Sequence, residues 1–62
     1  MYIITLNTTD GTCYLRVTVW TFPDRRERAS EYASIDAAQA ALDKARKFMP
    51  AKLYKAARIV AA

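Results

Sequence analysis

The sequence is poor in the residues that carry most enzyme chemistry. It has 62 residues and no histidine, which removes the commonest general base, every Ser-His or Cys-His nucleophile pair and most zinc sites. Its one glycine cannot form a glycine-rich loop that cradles phosphate groups. Its six acidic residues are scattered, with no pair at a catalytic spacing. We therefore expect a protein that is not an enzyme, with no catalytic residue, no metal site and no cofactor.

Cysteine and long apolar runs are equally scarce. Cys13 is the only cysteine, so it can neither close an internal disulfide nor build a metal cluster. Its position among apolar residues predicts a buried side chain rather than a reactive thiol. We find no run of about 18 apolar residues and no secretory signal pattern, so we expect a cytoplasmic protein with no membrane contact.

Length and charge set the scale of what is present. A chain of 62 residues predicts a single domain, residues 1–62, near the lower size at which a hydrophobic core suffices without disulfides or metals. Ten Lys and Arg against six Asp and Glu give a net charge of +4. This excess favours anionic partners, although many domains carry as much charge for solubility alone.

The segment 12–22, TCYLRVTVWTF, has the clearest pattern, because apolar residues alternate with aromatic and polar ones. Side chains of a strand alternate between faces, so we predict one two-faced strand at about 12–21. The row that we expect to face the core is aliphatic and comprises Cys13, Leu15, Val17 and Val19. The row that we expect to face outward comprises Tyr14, Arg16, Thr18, Trp20 and Phe22.

Turn residues bound the other strands. A first strand is predicted at about 2–7, and Asp10-Gly11 then predicts a hairpin turn, because glycine tolerates positive φ. Pro23 ends the second strand, since proline has no N–H to give to the sheet. A short third strand at about 30–33, centred on Tyr32, is an open alternative to a solvated loop.

A helix at about 35–49 follows from apolar residues at spacings of three and four, with Ser34 as N-cap and Pro50 as stop. The stripe that it turns toward the sheet comprises Ile35, Ala38, Leu42, Ala45 and Met49, widened by Ala41 and Phe48. For the tail we favour a strand at about 54–60, because a hairpin alone is marginally stable, with a short helix as the competitor. The predicted fold is α+β, a small antiparallel sheet of three to four strands with one helix on its aliphatic face.

The candidate binding residues are aromatic or cationic. Aromatic residues flanking an arginine can stack on bases or anchor a protein interface, and clustered arginines can contact phosphates. Ordinary cross-strand pairing and a solvated arginine loop are the structural alternatives. The predicted binding residues are Tyr14, Arg16, Trp20, Arg25, Arg26 and Arg28.

Two resemblances rest on ordered short motifs. Tyr2-Ile3-Ile4, Tyr14-Leu15, Trp20, Tyr32-Ala33-Ser34 and Arg58-Ile59-Val60 occur in an order that resembles small uncharacterised phage and prophage proteins, which implies a phage-type origin and no particular activity. The piece 14–45 is similar to the arm-binding domain of phage integrases, a three-stranded sheet plus a helix that inserts its sheet into the major groove of DNA. In that resemblance, the basic sheet and turn positions correspond to Arg16, Arg25, Arg26 and Arg28.

These observations favour a non-enzymatic phage or prophage accessory protein that binds a host macromolecule through its exposed sheet face, with a host protein as the first candidate. A weakly specific DNA-binding module that uses the sheet face and the arginine loop is the alternative. A homodimer formed through an unpaired sheet edge or the aromatic row is the third.

Overall fold

A four-stranded antiparallel sheet is the frame of the molecule in the computed structural model, which describes residues 1–62. The strands, in the spatial order β3-β2-β1-β4, are β1 (Tyr2–Thr8), β2 (Gly11–Arg16), β3 (Val19–Trp20) and β4 (Arg58–Ala61). The helices are α1 (Ile35–Ala45) and the short α2 (Ala51–Ala56), with 3₁₀ turns at Arg26–Arg28 and Arg46–Phe48. The predicted α+β class, with one main helix on a small antiparallel sheet, is confirmed.

The predicted hairpin between β1 and β2 is confirmed. Its two-residue loop is Thr9-Asp10, closed by the pair Thr8 and Gly11. Gly11 has φ +133°, and a Cβ built there would lie 2.8 Å from the Oδ2 atom of Asp24. The Asp24 carboxylate is the far end of an exposed side chain that can move aside, so glycine is favoured here for its backbone freedom.

The prediction of one continuous strand at 12–21 is wrong. The chain reverses at Val17-Thr18, and β3 returns beside β2, with Arg16 opposite Val19 and Leu15 opposite Trp20. Val17 has φ +57°, the sign that tight hairpin turns of the primed types require at their first loop residue. The ladder between β1 and β2 ends at Thr5 and Tyr14, and the reversal gives the last two residues of β2 a partner strand in β3.

The reversal changes which side chains are buried. Cross-strand partners share a face of the sheet, so Trp20 lies on the face of Leu15 and packs against the core. Val17 and Val19, which we expected in the core, are 68% and 61% exposed. The outward row of the prediction therefore does not exist as a continuous surface.

Beyond the end of their ladder, β1 and β2 diverge, and residues 30–32 lie between them. The Ser30 amide donates to the Leu15 carbonyl, at 3.1 Å, and the Val17 amide donates to the Ser30 hydroxyl, also at 3.1 Å. On the other side, Tyr32 exchanges two backbone hydrogen bonds with Tyr2, at 2.7 and 2.8 Å. In place of the alternative third strand at 30–33, the structure has a single β-bridge between Tyr32 and Tyr2. The space between β1 and β2 admits one residue pair on each side.

Helix α1 begins where predicted, and the Ser34 hydroxyl accepts from the Ala37 amide at 3.1 Å. The α-helix ends at Ala45 rather than at 49, because the chain tightens into the 3₁₀ turn Arg46–Phe48, and Met49 before Pro50 is extended with φ −139°. The buried core cluster, which joins the sheet to the helix, comprises Ile4, Leu15, Ala38, Leu42 and Ala45. Of the predicted stripe, Ile35 and Phe48 lie at the two ends and are exposed.

The tail contains both of the predicted alternatives. Helix α2 runs from Ala51 to Ala56 after Pro50, and β4 then pairs antiparallel with β1. The predicted strand is correct in its pairing, but it begins at Arg58 instead of 54 because α2 occupies the earlier residues. Cys13 is buried and free, as predicted. Neither helix combines the length and the apolar character that crossing a membrane requires.

Candidate binding groove at the sheet edge

The outer side of β3 carries a groove with a cavity volume of about 530 Å³. We call it the edge groove, and its lining comprises Arg16, Val19, Trp20, Thr21, Phe22, Arg25 and Arg28. It brings together four of the six predicted binding residues, although through a different backbone path from the predicted flat row. The remaining two, Tyr14 and Arg26, lie outside it.

One wall of the edge groove is the segment that continues β3. The Thr21 amide donates to the Tyr14 carbonyl at 2.8 Å, and the Thr21 hydroxyl accepts from the Tyr14 amide at 3.1 Å. Further along, the Asp24 amide donates to the Thr12 carbonyl at 2.7 Å. These bonds hold the backbone against β2, yet the Phe22 side chain remains 81% exposed.

The second wall is an arginine turn. Residues Arg26–Arg28 form a 3₁₀ turn in which the Arg28 amide donates to the Arg25 carbonyl at 2.9 Å. Side chains three residues apart in a 3₁₀ turn lie above one another, so Arg25 and Arg28 reach the edge groove together. Arg26 is out of step with them, which explains why it does not line the edge groove.

Tyr14 is the clearest correction to the predicted site. It is only 9% exposed, because its strand is flanked by β1 on one side and by residues 21–24 on the other, and the arginine turn contacts β2. Tyr14 therefore cannot be a surface anchor.

Trp20 has two roles of unequal weight. It packs against the core cluster, and its remaining surface lines the edge groove. Its indole Nε1 is buried without a hydrogen-bond partner, a cost that the packing of so large a ring outweighs. Trp20 is thus mainly a structural residue, and the exposed aromatic residue of the edge groove is Phe22.

The edge groove is cationic and partly apolar. Arg16, Arg25 and Arg28 are exposed, and arginine stays charged throughout the physiological pH range. Glu27 forms an ion pair with Arg25 at 3.6 Å, but both side chains are 63% exposed, so the pair is weak and open to exchange. Carboxylates or phosphates beside an apolar group are the chemistry that fits this lining.

Sequence reasoning missed Val19, Thr21 and Phe22 as members of the site. The sequence pattern places Val19 in the buried row, and this prediction is wrong because the chain reverses at Val17-Thr18. The pattern gives no sign of the reversal, since these two residues include neither Gly, Pro nor Asn. The available signal was length, since a ten-residue strand is about twice the usual strand length. A chain of this size rarely has a partner strand to match it.

A polar cluster on the other side of the molecule fixes α2 to α1. Tyr54 and Gln39 both donate to the Oδ1 atom of Asp43, and Arg46 lies 4.8 Å from the centre of the Tyr54 ring. The hydrogen bond from Tyr54, together with that from Gln39, lowers the pKa of Asp43, and the bond to Asp43 raises the pKa of Tyr54. The role of this exposed cluster is structural, because its contacts hold α2 against α1.

No group of three His, Cys, Asp or Glu side chains lies together in a way that would hold a metal ion. Comparison with known proteins adds no relative: no family model matches the chain, and no curated protein or solved structure matches it significantly. The chemistry of the edge groove is therefore interpreted from its own residues.

Proposed function

We propose that the protein is a non-enzymatic binding module that captures an acidic segment of another protein in the edge groove. On the phage-type resemblance, we further propose that it is a phage or prophage accessory protein and that its partner is a host protein. In this role it covers a surface of the partner and turns over no substrate.

The observation that carries the proposal is the union of three exposed arginines with two exposed apolar side chains in one concave surface. A side chain as large as Phe22 that stays 81% exposed gains little for folding. A partner that covers it recovers about 1.5–3 kcal/mol of burial energy. Arginine and aromatic residues are also enriched among the side chains that contribute most to protein binding.

DNA binding through the arginine turn and the sheet edge is the second candidate. The spacing of Arg25 and Arg28 on one side of their turn supports it, because both can reach one phosphate backbone. Against it, sequence-tolerant nucleic-acid binding uses exposed aromatic rings for stacking. Trp20 is committed to the core, so Phe22 is the one ring in the edge groove that is free to stack.

A homodimer is the third candidate. Strands β3 and β4 are both edges of the sheet, and an unpaired edge is a template for pairing with a second copy. Sedimentation at several concentrations measures this directly, and a mass that stays at one chain contradicts it.

The test is capture from a nuclease-treated bacterial lysate by three immobilised proteins: wild type, Arg28→Ala and Arg58→Ala. Each variant loses one exposed arginine from the sheet region, but only Arg28 lines the edge groove. We expect a bacterial protein retained by wild type and by Arg58→Ala and lost with Arg28→Ala. Equal retention by both variants would contradict the proposal.

Salt and nuclease separate the first two candidates. If three arginines neutralise phosphates on single-stranded DNA, the affinity should fall about 15-fold or more between 50 and 200 mM salt, because counterions are released. An acidic protein segment lacks that condensed counterion layer, so its loss should be smaller. Capture that disappears on nuclease treatment would favour DNA.

A further inference from the structure

Resting on the proposed function, we infer that the acidic segment binds in extended form and adds a strand to the free edge of β3. The proposed function says what the edge groove recognises, and strand addition says how the partner's backbone is held. Main-chain hydrogen bonds then supply affinity, and the side chains of the edge groove supply selectivity.

The hydrogen-bond pattern identifies the free backbone groups. In an antiparallel pair, hydrogen-bonded and non-hydrogen-bonded residue pairs alternate. The Thr21 amide donates to the Tyr14 carbonyl and the Tyr14 amide donates to the Thr21 hydroxyl, so the backbone groups of Tyr14 point toward β3. The Leu15 carbonyl points the other way, to the Ser30 amide, so Leu15 and Trp20 form a non-hydrogen-bonded pair. The N–H and C=O groups of Trp20 therefore point away from β2, toward the outer side of the sheet.

No backbone hydrogen bond from a turn or loop reaches those two groups. Strand β3 is the last strand of the sheet on this side, and no turn or loop forms a backbone hydrogen bond to Trp20. The neighbouring edge of β2 is paired, because the amides of Thr21 and Asp24 donate to its carbonyl groups. The unpaired position thus lies where the edge groove is lined by arginine and apolar side chains.

The positive charge of the edge groove favours an acidic segment over a second copy of this chain. Arg16, Arg25 and Arg28 surround the edge, and Glu27 is the one carboxylate that pairs with any of them. A second copy of this chain would bring the same arginines against these, and like charges across a strand pair are destabilising. A segment that alternates acidic and apolar residues complements both the arginines and the exposed Val19 and Phe22.

The experiment is amide hydrogen exchange on ¹⁵N-labelled wild-type protein, with two probes. The first is an acetylated and amidated hexapeptide of alternating Glu and Val, and the second is an oligothymidine of similar charge. We expect the peptide to slow exchange of the Trp20 amide about tenfold at about 90% saturation, since only free protein exchanges. The Thr21 amide, already bonded to Tyr14, serves as the internal control and should change little.

The other outcomes contradict strand addition alone or together with the proposed function. Peptide binding that shifts the signals of the edge-groove residues without protecting Trp20 would refute strand addition and leave the proposed function standing. Binding of oligothymidine alone, or of neither probe up to about 1 mM, would overturn both. Protection of Trp20 that rises with protein concentration and no probe would assign the edge to a second copy and refute the inference.

Discussion

Replacing Val17 by glycine tests the reversal that creates the edge groove. A β-branched residue at φ +57° is strained by about 1–3 kcal/mol, and glycine adopts this φ without strain. Glycine also costs about 0.5–1 kcal/mol in backbone entropy. Val17 is 68% exposed, so little apolar burial is lost. We therefore expect Val17→Gly to stabilise the protein by about 0.5–2 kcal/mol.

The sign of this change is the informative quantity. If residues 12–22 formed one strand, glycine in its middle would destabilise the protein. The assay is urea unfolding followed by circular dichroism, with Val19→Gly as the matched control, because Val19 is a similarly exposed valine that lies in β3. We expect opposite signs for the two variants. A loss of stability in Val17→Gly equal to that in Val19→Gly would refute the reversal.

Three further predictions concern stability. Gly11→Ala should cost about 1–3 kcal/mol, because its φ of +133° strains an L side chain, as measured by the urea midpoint; a change below about 0.5 kcal/mol would contradict this. Trp20→Ala should cost about 3–5 kcal/mol and largely unfold so small a domain, and a folded variant would place that ring outside the core. Tyr54→Phe should raise the pKa of Asp43 toward its usual value. A lowered folded-state pKa adds stability that is lost as pH falls through it, so the variant should lose less stability on acidification than wild type. A ¹³C titration of the Asp43 carboxyl group measures the shift, and an unchanged pKa would contradict the hydrogen bond as its cause.

Local signals predicted the elements that depend on them. The hairpin follows from one glycine whose φ no other residue adopts easily, and the start of α1 follows from the Ser34 hydroxyl. The apolar spacing of Ala38 and Leu42 identified the helix face that packs on the sheet. In the first two cases the determining interaction lies within a few residues of the signal, and in the third the helical period itself marks the apolar face.

The edge groove depends on events that leave no such signal. The reversal at Val17-Thr18 uses residues that favour strands, and it lies beyond the end of the β1–β2 ladder at Thr5 and Tyr14, which no local residue marks. One reversal then moved Trp20 to the core face and Val19 to the surface. Arg25 and Arg28 are recognisable as a pair only once the turn is known, because an extended segment would direct residues three apart to opposite sides.

The most direct test of the edge groove as a binding site removes an apolar contact and leaves the charge unchanged. Phe22→Ala and Phe48→Ala each delete an exposed phenyl ring, 81% and 62% exposed, but only Phe22 lines the edge groove. Calorimetric titration with the alternating Glu-Val peptide should show a loss of about tenfold or more in affinity for Phe22→Ala. Phe48→Ala should bind as wild type does. Equal affinities for all three proteins would show that attraction between net charges, and not the edge groove, holds the peptide.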